Sequence, residues 1–242
     1  MDKKINLLAK QNKTLLCEFE ELLGYRFTDL RLLQKALIHS SFAFEQAEEC
    51  RNNETLEFLG DAVLDLTVGY LLFQHYPEMK EGELTKFRAA LVNETHLAEM
   101  ARTIELGRFL FLGKGEEASS GRNKSSILSC AFEAVIGAIF EDGGYDTVTE
   151  CVEKFFLSSI TEKKEELLIA DAKSRLQEKL QEKYNEAPQY RLDEEEGPSH
   201  QRIFRVSVVF REEVLGQGEA GSKKEAEQRA AAAALRKGIV LR

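Results

Sequence analysis

The sequence predicts a multidomain chain in which an all-helical (all-α) domain precedes a small α+β domain of element order α-β-β-β-α. Apolar residues recur at helical spacing from Leu15 to about residue 164. The alternating residues Phe204, Val206, Val208 and Phe210 then predict a strand, with strand-like and helical segments on both sides. A chain of 242 residues is long enough for two domains that each bury a core.

The composition is that of a globular protein, and its charge is unevenly distributed. Hydrophobic residues make up 43% of the chain, charged residues make up 31%, and the net charge is −9. Residues 171–242 hold 14 Lys/Arg and 13 Asp/Glu, a net charge of +1, which leaves −10 for residues 1–170. The acidic part therefore suggests a metal ion as partner, and any contact with nucleic acid has to come from local basic clusters.

The cysteines and the hydropathy pattern bear on the compartment. Cys17, Cys50, Cys130 and Cys151 are widely spaced and form no CxxC pair, which argues against a zinc module and against a disulfide framework. The first ten residues lack the apolar core of a signal peptide, and no uncharged run approaches the ~20 residues of a membrane span. We expect a cytoplasmic protein that does not associate with membranes.

Helix-ending and helix-starting residues divide the helical domain into separate predicted helices. A first helix over residues 15–23 ends at Gly24, and Thr28 or Asp29 begins a second helix. Pro77 ends the helical region that contains residues 52–70. Further helices are predicted at residues 84–92, 127–140 and 146–164, with a glycine-rich loop at residues 113–123.

Residues 52–70, NNETLEFLGDAVLDLTVGY, are predicted to form a helix with an acidic stripe. At 3.6 residues per turn Glu54, Glu57 and Asp61 fall within an arc of roughly 60°, and Asp65 extends the stripe. Apolar residues on the opposite side are expected to form the buried face: Leu59, Val63, Leu66 and Tyr70.

The acidic stripe is either an ordinary solvated face or a site for a cation. Residues 52–79 contain no Lys or Arg, although solvated helical faces usually mix both signs. Like charges one turn apart destabilise a helix unless a cation neutralises them, and hard divalent cations prefer oxygen ligands. The pattern favours a metal site.

The run at residues 53–64, NETLEFLGDAVL, resembles the signature helix of the ribonuclease III family, because its acidic, apolar and glycine positions all match together. The resemblance implies an all-helical nuclease domain that cleaves double-stranded RNA with Mg²⁺, with Mn²⁺ as an alternative ion. It implies that Glu57, Asp61 and Glu133 bind the metal, with Asp61 and Glu133 as catalytic residues. The reaction implied is phosphodiester hydrolysis to 5′-phosphate and 3′-hydroxyl ends.

The resemblance also gives roles to two residues that have plainer explanations. It implies a homodimer in which Phe58 inserts into the partner subunit, whereas the alternative is a local core contact. It implies that Glu81 supports the active cleft together with Glu54, whereas an acidic residue at position 81 is also favoured simply by the start of a helix.

The second informative stretch is residues 127–140, ILSCAFEAVIGAIF, in which Glu133 is the single carboxylate of an apolar run. A buried carboxylate has to be protonated, paired or metal-bound. A structural ion pair is the alternative to the metal ligation that the resemblance implies. The family usually has Asp-x-x-Glu on this helix, but this chain has Cys130 at the first position. A thiol is a poor ligand for Mg²⁺, so we predict weaker metal affinity, with the site kept by Glu57, Asp61 and Glu133.

The last part of the chain resembles a double-stranded RNA-binding domain. Helix, three strands and helix are predicted in order after Asp171, and the last helix follows the capping box of Ser222 and Glu225. Three separated motifs carry the resemblance: KSRLQE at residues 173–178, GPSH at residues 197–200 and GSKKEA at residues 221–226.

The resemblance places Gln177 and Glu178 near one minor groove, His200 in the next, and Lys223 and Lys224 across the phosphates between them. The macrodipole disfavours cations in the first turn of a helix, so two lysines there are more easily understood if phosphate binds beside them. Ordinary surface lysines are the alternative.

We therefore expect a ribonuclease III domain at residues 1–160, a linker at 161–170 and an RNA-binding domain at 171–240. The resemblance implies processing of ribosomal RNA precursors and structured messenger RNAs. Two rival functions are a binding protein that has lost cleavage, which the cysteine at position 130 motivates, and a metal-dependent phosphohydrolase acting on another substrate.

Overall fold

The computed structural model describes residues 3–46, 50–198 and 201–237, without the side chains of residues 162, 164–168 and 170. The chain divides into two compact units, Met1–Ile160 and Thr161–Arg242. Residues 161–170, predicted as a linker, are helical. The fold class is confirmed, because helices form the first unit and the second has the order α-β-β-β-α.

The first unit is built from helices of very different length. They are α1 (Lys3–Gln11), α2 (Lys13–Leu23), α3 (Leu30–Ala36), α4 (Ser40–Phe44), α5 (Glu54–His75), α6 (Glu81–Leu91), α7 (Glu94–Thr103), α8 (Leu106–Phe109), α9 (Lys114–Ala118) and α10 (Ser125–Ala170), of which residues 125–160 belong to this unit. A 3₁₀ turn, Gly121–Asn123, precedes α10. The predicted glycine-rich loop thus contains α9 and this turn. Gly24 ends α2 in the left-handed conformation, and the side chain of Asp29 caps α3, both as predicted.

The start of α5 is fixed by chain segments distant in sequence. Ile38 and Phe111 form an isolated parallel bridge, and the backbone N–H of Asn53 donates to the Ile38 carbonyl at 2.9 Å. Asn53 itself is buried. The helix that carries the acidic stripe therefore begins at a defined place in the fold.

The buried face of α5 differs from the predicted one. Val63 is buried as expected, but Leu66 is 58% exposed and Tyr70 is 43% exposed. The core side of α5 is formed by other residues: Leu56, Gly60, Val63, Leu64, Thr67, Val68, Leu71 and Leu72. The prediction was wrong because α5 has apolar residues on more than one side, so periodicity alone does not select the side that packs inward.

The first part of α10 runs through the middle of the unit. Phe132, Val135, Ile136 and Ile139 are fully buried there. The α10 backbone leaves helical geometry at Gly144, between the helices predicted at residues 127–140 and 146–164, where φ is 76°. Just before this break the carboxylate of Asp142 accepts hydrogen bonds from three groups of the segment between α2 and α3: the Tyr25 hydroxyl and the backbone N–H groups of Thr28 and Asp29.

The second unit contains α11 (Ala172–Tyr184), β1 (Gln189–Glu196), β2 (Ile203–Phe210), β3 (Glu213–Ala220) and α12 (Lys223–Lys237). Its described residues form a three-stranded antiparallel sheet of order β1-β2-β3, with irregular register between Leu192 and Glu194 and between Val208 and Val209. Both helices pack on one face of the sheet. The buried core includes Leu176, Leu180, Val206, Val208, Phe210, Ala226, Ala230 and Ala234.

The alanines of α12 and the glycines of β3 let the helix lie directly on the sheet. A Cβ added to Gly216 would be 2.4 Å from the Ala230 carbonyl oxygen, and one added to Gly218 would be 2.3 Å from the Ala226 carbonyl oxygen.

Among the described residues, no helix combines the length and apolar character that crossing a membrane requires.

Candidate active site and RNA-binding surface

The candidate active site lies where α5 crosses α10 at a pair of glycines. A Cβ added to Gly60 would lie 1.8 Å from the carbonyl oxygen of Glu133, and a Cβ added to Gly137 would lie 2.2 Å from the carbonyl oxygen of Leu56. Side chains larger than hydrogen would therefore hold the two backbones apart. The crossing brings Glu57 and Asp61, which flank Gly60 on α5, to the turn of α10 that carries Glu133.

Three potential ligands meet at this crossing. One ligand atom from each of Glu57, Cys130 and Glu133 lies within 4.8 Å of the other two, and all three residues are half-buried. Asp61 is exposed and stands outside this tight group, although its charge acts on Glu133. The structure therefore brings together the acids of two helices that are more than 70 residues apart in sequence.

The electrostatics of the site are set by burial and by its closely spaced carboxylates. Burial raises the pKa of Glu133 to about 7, and the negative charges of Asp61 and Glu57 act in the same direction. Within the described part of the chain Glu133 makes no ion pair, so the structural ion pair considered from the sequence is absent there. A cation bound here would compete with the proton for the Glu133 carboxylate.

Cys130 takes part in the same cluster as a thiol. Burial raises its pKa to about 12, and hydrogen bonding to Glu57 and the charges of Glu57 and Glu133 contribute to the rise. The thiol is therefore protonated at neutral pH and lies beside the carboxylates of Glu57 and Glu133. It adds no charge to the cluster.

The carboxylates of this cluster fit a hard divalent cation. Mg²⁺ prefers oxygen ligands, keeps several waters and needs one or two protein carboxylates, which Glu57, Asp61 and Glu133 can supply. The thiol of Cys130 does not fit Mg²⁺, because soft sulfur ligands select other metals.

Other acidic residues of α5 and α6 stand apart from the cluster. Asp65 lies 3.4 Å from Arg88 in an ion pair, and both residues line a cavity with Glu81. Glu81 is exposed, and its carboxylate accepts a hydrogen bond from the Thr85 hydroxyl at 3.0 Å. Glu54 is exposed at the first residue of α5. Supporting roles for Glu54 and Glu81 remain predictions.

Phe58 projects into solvent from α5. It is 80% exposed, which excludes the local core contact considered from the sequence. Phe73 on the same helix is 65% exposed. These residues, together with Leu66 and Tyr70, give α5 an apolar surface outside the core of its own unit.

In the second unit, Lys223 and Lys224 are exposed in the first turn of α12. The Ser222 hydroxyl accepts a hydrogen bond from the backbone N–H of Glu225 at 3.3 Å, so the predicted N-cap is present. The lysines thus stand beside a helix N-terminus, which attracts anions. Gln177 and Glu178 are exposed on α11, while Ser199 and His200 lie outside the described residues.

The relative position of α11 and α12 is fixed by Lys173. Its backbone N–H donates to the Gln228 side chain at 2.9 Å, and its Nζ lies 2.6 Å from the Glu227 carboxylate. The same Nζ lies 4.4 Å from the centre of the Tyr190 ring. The exposed residues of α11 and the first turn of α12 are therefore held in a defined arrangement.

Comparison with known proteins follows the same two-part division. The family described as Ribonuclease-III-like matches residues 29–160, and the double-stranded RNA binding motif matches residues 172–237. The chain is 69% identical to Ribonuclease 3 of Desulfotalea psychrophila over 230 residues, which cover 95% of each chain. The chain belongs to the ribonuclease III family. The predicted family and enzyme class are confirmed.

Further relatives of this ribonuclease III are similar over most of its length. Ribonuclease 3 of Pseudothermotoga lettingae is 43% identical over 95% of this chain and 98% of its own. Among solved structures, the nuclease domain of Ribonuclease III from Campylobacter jejuni is 45% identical, with a TM-score of 0.53, and covers 57% of this chain and 96% of its own.

Two features of the candidate site were not among the sequence predictions, whereas the metal-binding roles of Glu57, Asp61 and Glu133 remain predictions. The pairing of Gly60 with Gly137 was not recognised, although each glycine stands in the middle of a strongly apolar helix. Such a position indicates close backbone packing. The sequence predicts Cys130 only as a departure from the family pattern, whereas the structure brings its thiol close to both Glu57 and Glu133.

Proposed function

We propose that the protein is an endoribonuclease that hydrolyses phosphodiester bonds of double-stranded RNA in an Mg²⁺-dependent reaction, leaving 5′-phosphate and 3′-hydroxyl ends. The observation that carries the proposal is the meeting of Glu57 and Glu133 at the crossing of α5 and α10. The match of the second unit to the double-stranded RNA binding motif supports the substrate class. Mn²⁺ is expected to substitute for Mg²⁺, because it accepts the same oxygen ligands.

Glu57, Asp61 and Glu133 would hold the metal ion, which when bound supplies an activated water and neutralises charge on the leaving oxygen. Burial and acidic neighbours favour the protonated form of Glu133, which has to lose its proton before it can bind a metal ion. Its carboxylate therefore becomes available as a ligand near neutral pH. The exposed Asp61 lies on the solvent side, where a phosphate approaches. We assign Glu54 and Glu81 to the walls of the cleft.

RNA is bound by the second unit through its shape. Lys223 and Lys224, beside the N-terminus of α12, face phosphates, and Gln177 and Glu178 on α11 face a minor groove. His200 is proposed for the next minor groove. Because these contacts go mainly to the backbone and to 2′-hydroxyl groups, we expect little dependence on base sequence.

A homodimer is part of the proposal. Phe58, Leu66 and Phe73 expose apolar surface on α5, and a cavity of about 600 Å³ lies between α5 and α6. The Campylobacter jejuni nuclease domain is described as structurally flexible in a region involved in dimer formation. A symmetric dimer of the present chain would carry two sites, one for each strand of the duplex.

The proposed setting is the bacterial cytoplasm, with ribosomal RNA precursors and structured messenger RNAs as substrates. Four cysteines without a CxxC pair suit a reducing compartment. The rival function is RNA binding without cleavage, which the thiol of Cys130 in the carboxylate cluster favours.

Cleavage of a long duplex RNA tests the proposal. The native protein is expected to cut the duplex with Mg²⁺, and Glu133→Gln is expected to bind the duplex without cutting it. Glu141→Gln, on the exposed side of the same helix, is the matched control and should cut normally. Binding without cleavage by the native protein would support the rival, and undiminished cleavage by Glu133→Gln would remove Glu133 from the mechanism.

A further inference from the structure

The carboxylate cluster contains a donor that Mg²⁺ does not use. The thiol of Cys130 belongs to the group whose ligand atoms lie within 4.8 Å of one another, with one carboxylate oxygen each from Glu57 and Glu133. Cys130 and Glu133 are three residues apart on α10 and so lie on the same face of that helix, whereas Glu57 reaches the group from α5. The donor set is one sulfur and two oxygens from two helices.

This donor set selects a different class of metal from the one that carboxylates alone select. Thiolate ligands favour Zn²⁺ and other borderline or soft cations, whereas Mg²⁺ requires oxygen. Sites with three protein ligands and a water in the fourth position are the usual arrangement for an accessible Zn²⁺.

We propose that Glu57, Cys130 and Glu133 form a binding site for a thiophilic divalent cation such as Zn²⁺, with Sγ of Cys130 as a direct ligand. The cation competes with Mg²⁺, since two of the three ligands also belong to the proposed nuclease site. Competition with Mg²⁺ implies that the cation inhibits RNA cleavage, and this consequence alone rests on the proposed function. The binding itself does not.

The distances allow the three donors to close on one ion. Zn²⁺ bonds of about 2.3 Å to sulfur and about 2.1 Å to oxygen put tetrahedral ligand atoms roughly 3.6 Å apart. The present separations of 4.8 Å or less are within one side-chain adjustment of that value. The thiol gives its proton to the solvent on binding, because a coordinating thiol is deprotonated by the charge of the metal.

Co²⁺ is the probe that tests the ligand directly, because a cobalt–thiolate bond produces a sulfur-to-metal charge-transfer band in the near ultraviolet. The full chain, free of metal and RNA, is titrated with Co²⁺ and then with Zn²⁺ in competition. The variants are Cys130→Ser, Cys130→Asp and, as the matched control, Cys17→Ser on α2. Circular dichroism establishes that each variant is folded.

The native protein and Cys17→Ser are expected to show the charge-transfer band and to lose it when Zn²⁺ displaces Co²⁺. Both Cys130 variants are expected to lack the band. We expect the dissociation constant for Zn²⁺ to rise at least about tenfold in Cys130→Ser, because loss of even an outer-shell partner costs about 10- to 100-fold. Cys130→Asp is expected to bind Mg²⁺ more tightly than the native protein, which shifts the preference from Zn²⁺ toward Mg²⁺.

A native protein without the band, or a folded Cys130→Ser variant that keeps both the band and the native Zn²⁺ affinity, would overturn the inference. Failure of the inference and failure of the proposed function give different results. If the band is absent but Mg²⁺ supports RNA cleavage, the thiol is not a ligand and the nuclease proposal stands. If the band is present but no metal supports cleavage, the metal site stands and the nuclease proposal fails.

Discussion

The substitution Gly60→Ala tests whether the glycine crossing positions the active site. The added Cβ would lie 1.8 Å from the carbonyl oxygen of Glu133, whereas ordinary van der Waals contact begins at 3.4 Å. The atom that it meets belongs to the backbone of a buried helix and cannot rotate away. Helices α5 and α10 would have to separate by more than an ångström for the substitution to be accommodated.

Two opposing effects determine the change in stability. Overpacking of a close contact costs about 1–3 kcal/mol, and a backbone contact belongs at the upper end of that range. Alanine is favoured over glycine within a helix by about 1 kcal/mol. We therefore expect a net loss of about 2 kcal/mol in the free energy of unfolding of the first unit. At about 2–4 °C per kcal/mol, the melting temperature of that unit falls by roughly 4–8 °C.

Thermal denaturation followed by circular dichroism measures this change, and Gly82→Ala is the matched control. Gly82 lies in the first turn of α6, and a Cβ added there meets nothing within 4 Å. Cleavage of duplex RNA by the folded Gly60→Ala variant is expected to fall by about 100-fold, because displacement by about 1 Å disturbs a catalytic arrangement that strongly. The reasoning would be refuted if the Gly60→Ala protein had the same melting temperature as Gly82→Ala and cleaved duplex RNA at the native rate.

Three further predictions concern RNA binding, pH and assembly. Replacing Lys223 and Lys224 by Ala should weaken binding of duplex RNA and reduce the slope of log K against log salt by about two, as a titration at several salt concentrations measures. In metal-free protein, the pKa of Glu133 is raised in the folded state to about 7 from its usual 4.5, so wild type loses stability as pH rises between these values. Compared with Glu133→Gln, the wild type should lose about 1–2 kcal/mol in free energy of unfolding over this pH range, after allowance for solvent screening. Denaturant unfolding at several pH values measures this difference. Phe58→Ala should weaken the dimer in sedimentation velocity without lowering the stability of the fold, because Phe58 is 80% exposed.

Each of these predictions has a control and a contrary outcome. Lys237→Ala, in the last turn of α12, should leave the salt slope unchanged, and an unchanged slope in the double lysine variant would remove both lysines from the interface. A stability difference between wild type and Glu133→Gln that is constant from pH 4.5 to 8 would contradict the raised pKa. Phe44→Ala, at a residue that is 92% exposed on α4, should leave assembly intact. A Phe58→Ala dimer as tight as the native one would exclude the contact.

The sequence predicted those features that depend on local pattern. Glu57, Asp61 and Glu133 could be selected because carboxylates in an uncompensated stripe or in an apolar run need a partner. Gly24, Asp29 and the N-cap of α12 were also predictable, since caps act over a few residues. These features do not depend on how the helices pack.

Other features depend on packing between segments distant in sequence. Leu66 and Tyr70 were expected inside, but the core side of α5 is chosen by its contact with α10 at Gly60, and the remaining apolar residues face outward. The approach of Cys130 to Glu57 follows from the same crossing. Asp65 looked like a continuation of the acidic stripe, but Arg88 from α6 reaches it. None of these contacts between helices can be predicted from the residues of a single helix.

A crystal soaked with Mn²⁺ provides the most direct measurement of the central claim, because the anomalous signal locates the ion without assumptions about activity. We expect a manganese peak between α5 and α10, with carboxylate oxygens of Glu57, Asp61 and Glu133 in its coordination sphere, and no peak in Glu133→Gln under the same conditions. A peak bound by other residues, or a peak that persists in Glu133→Gln, would contradict the claim that acids from these two helices hold the ion.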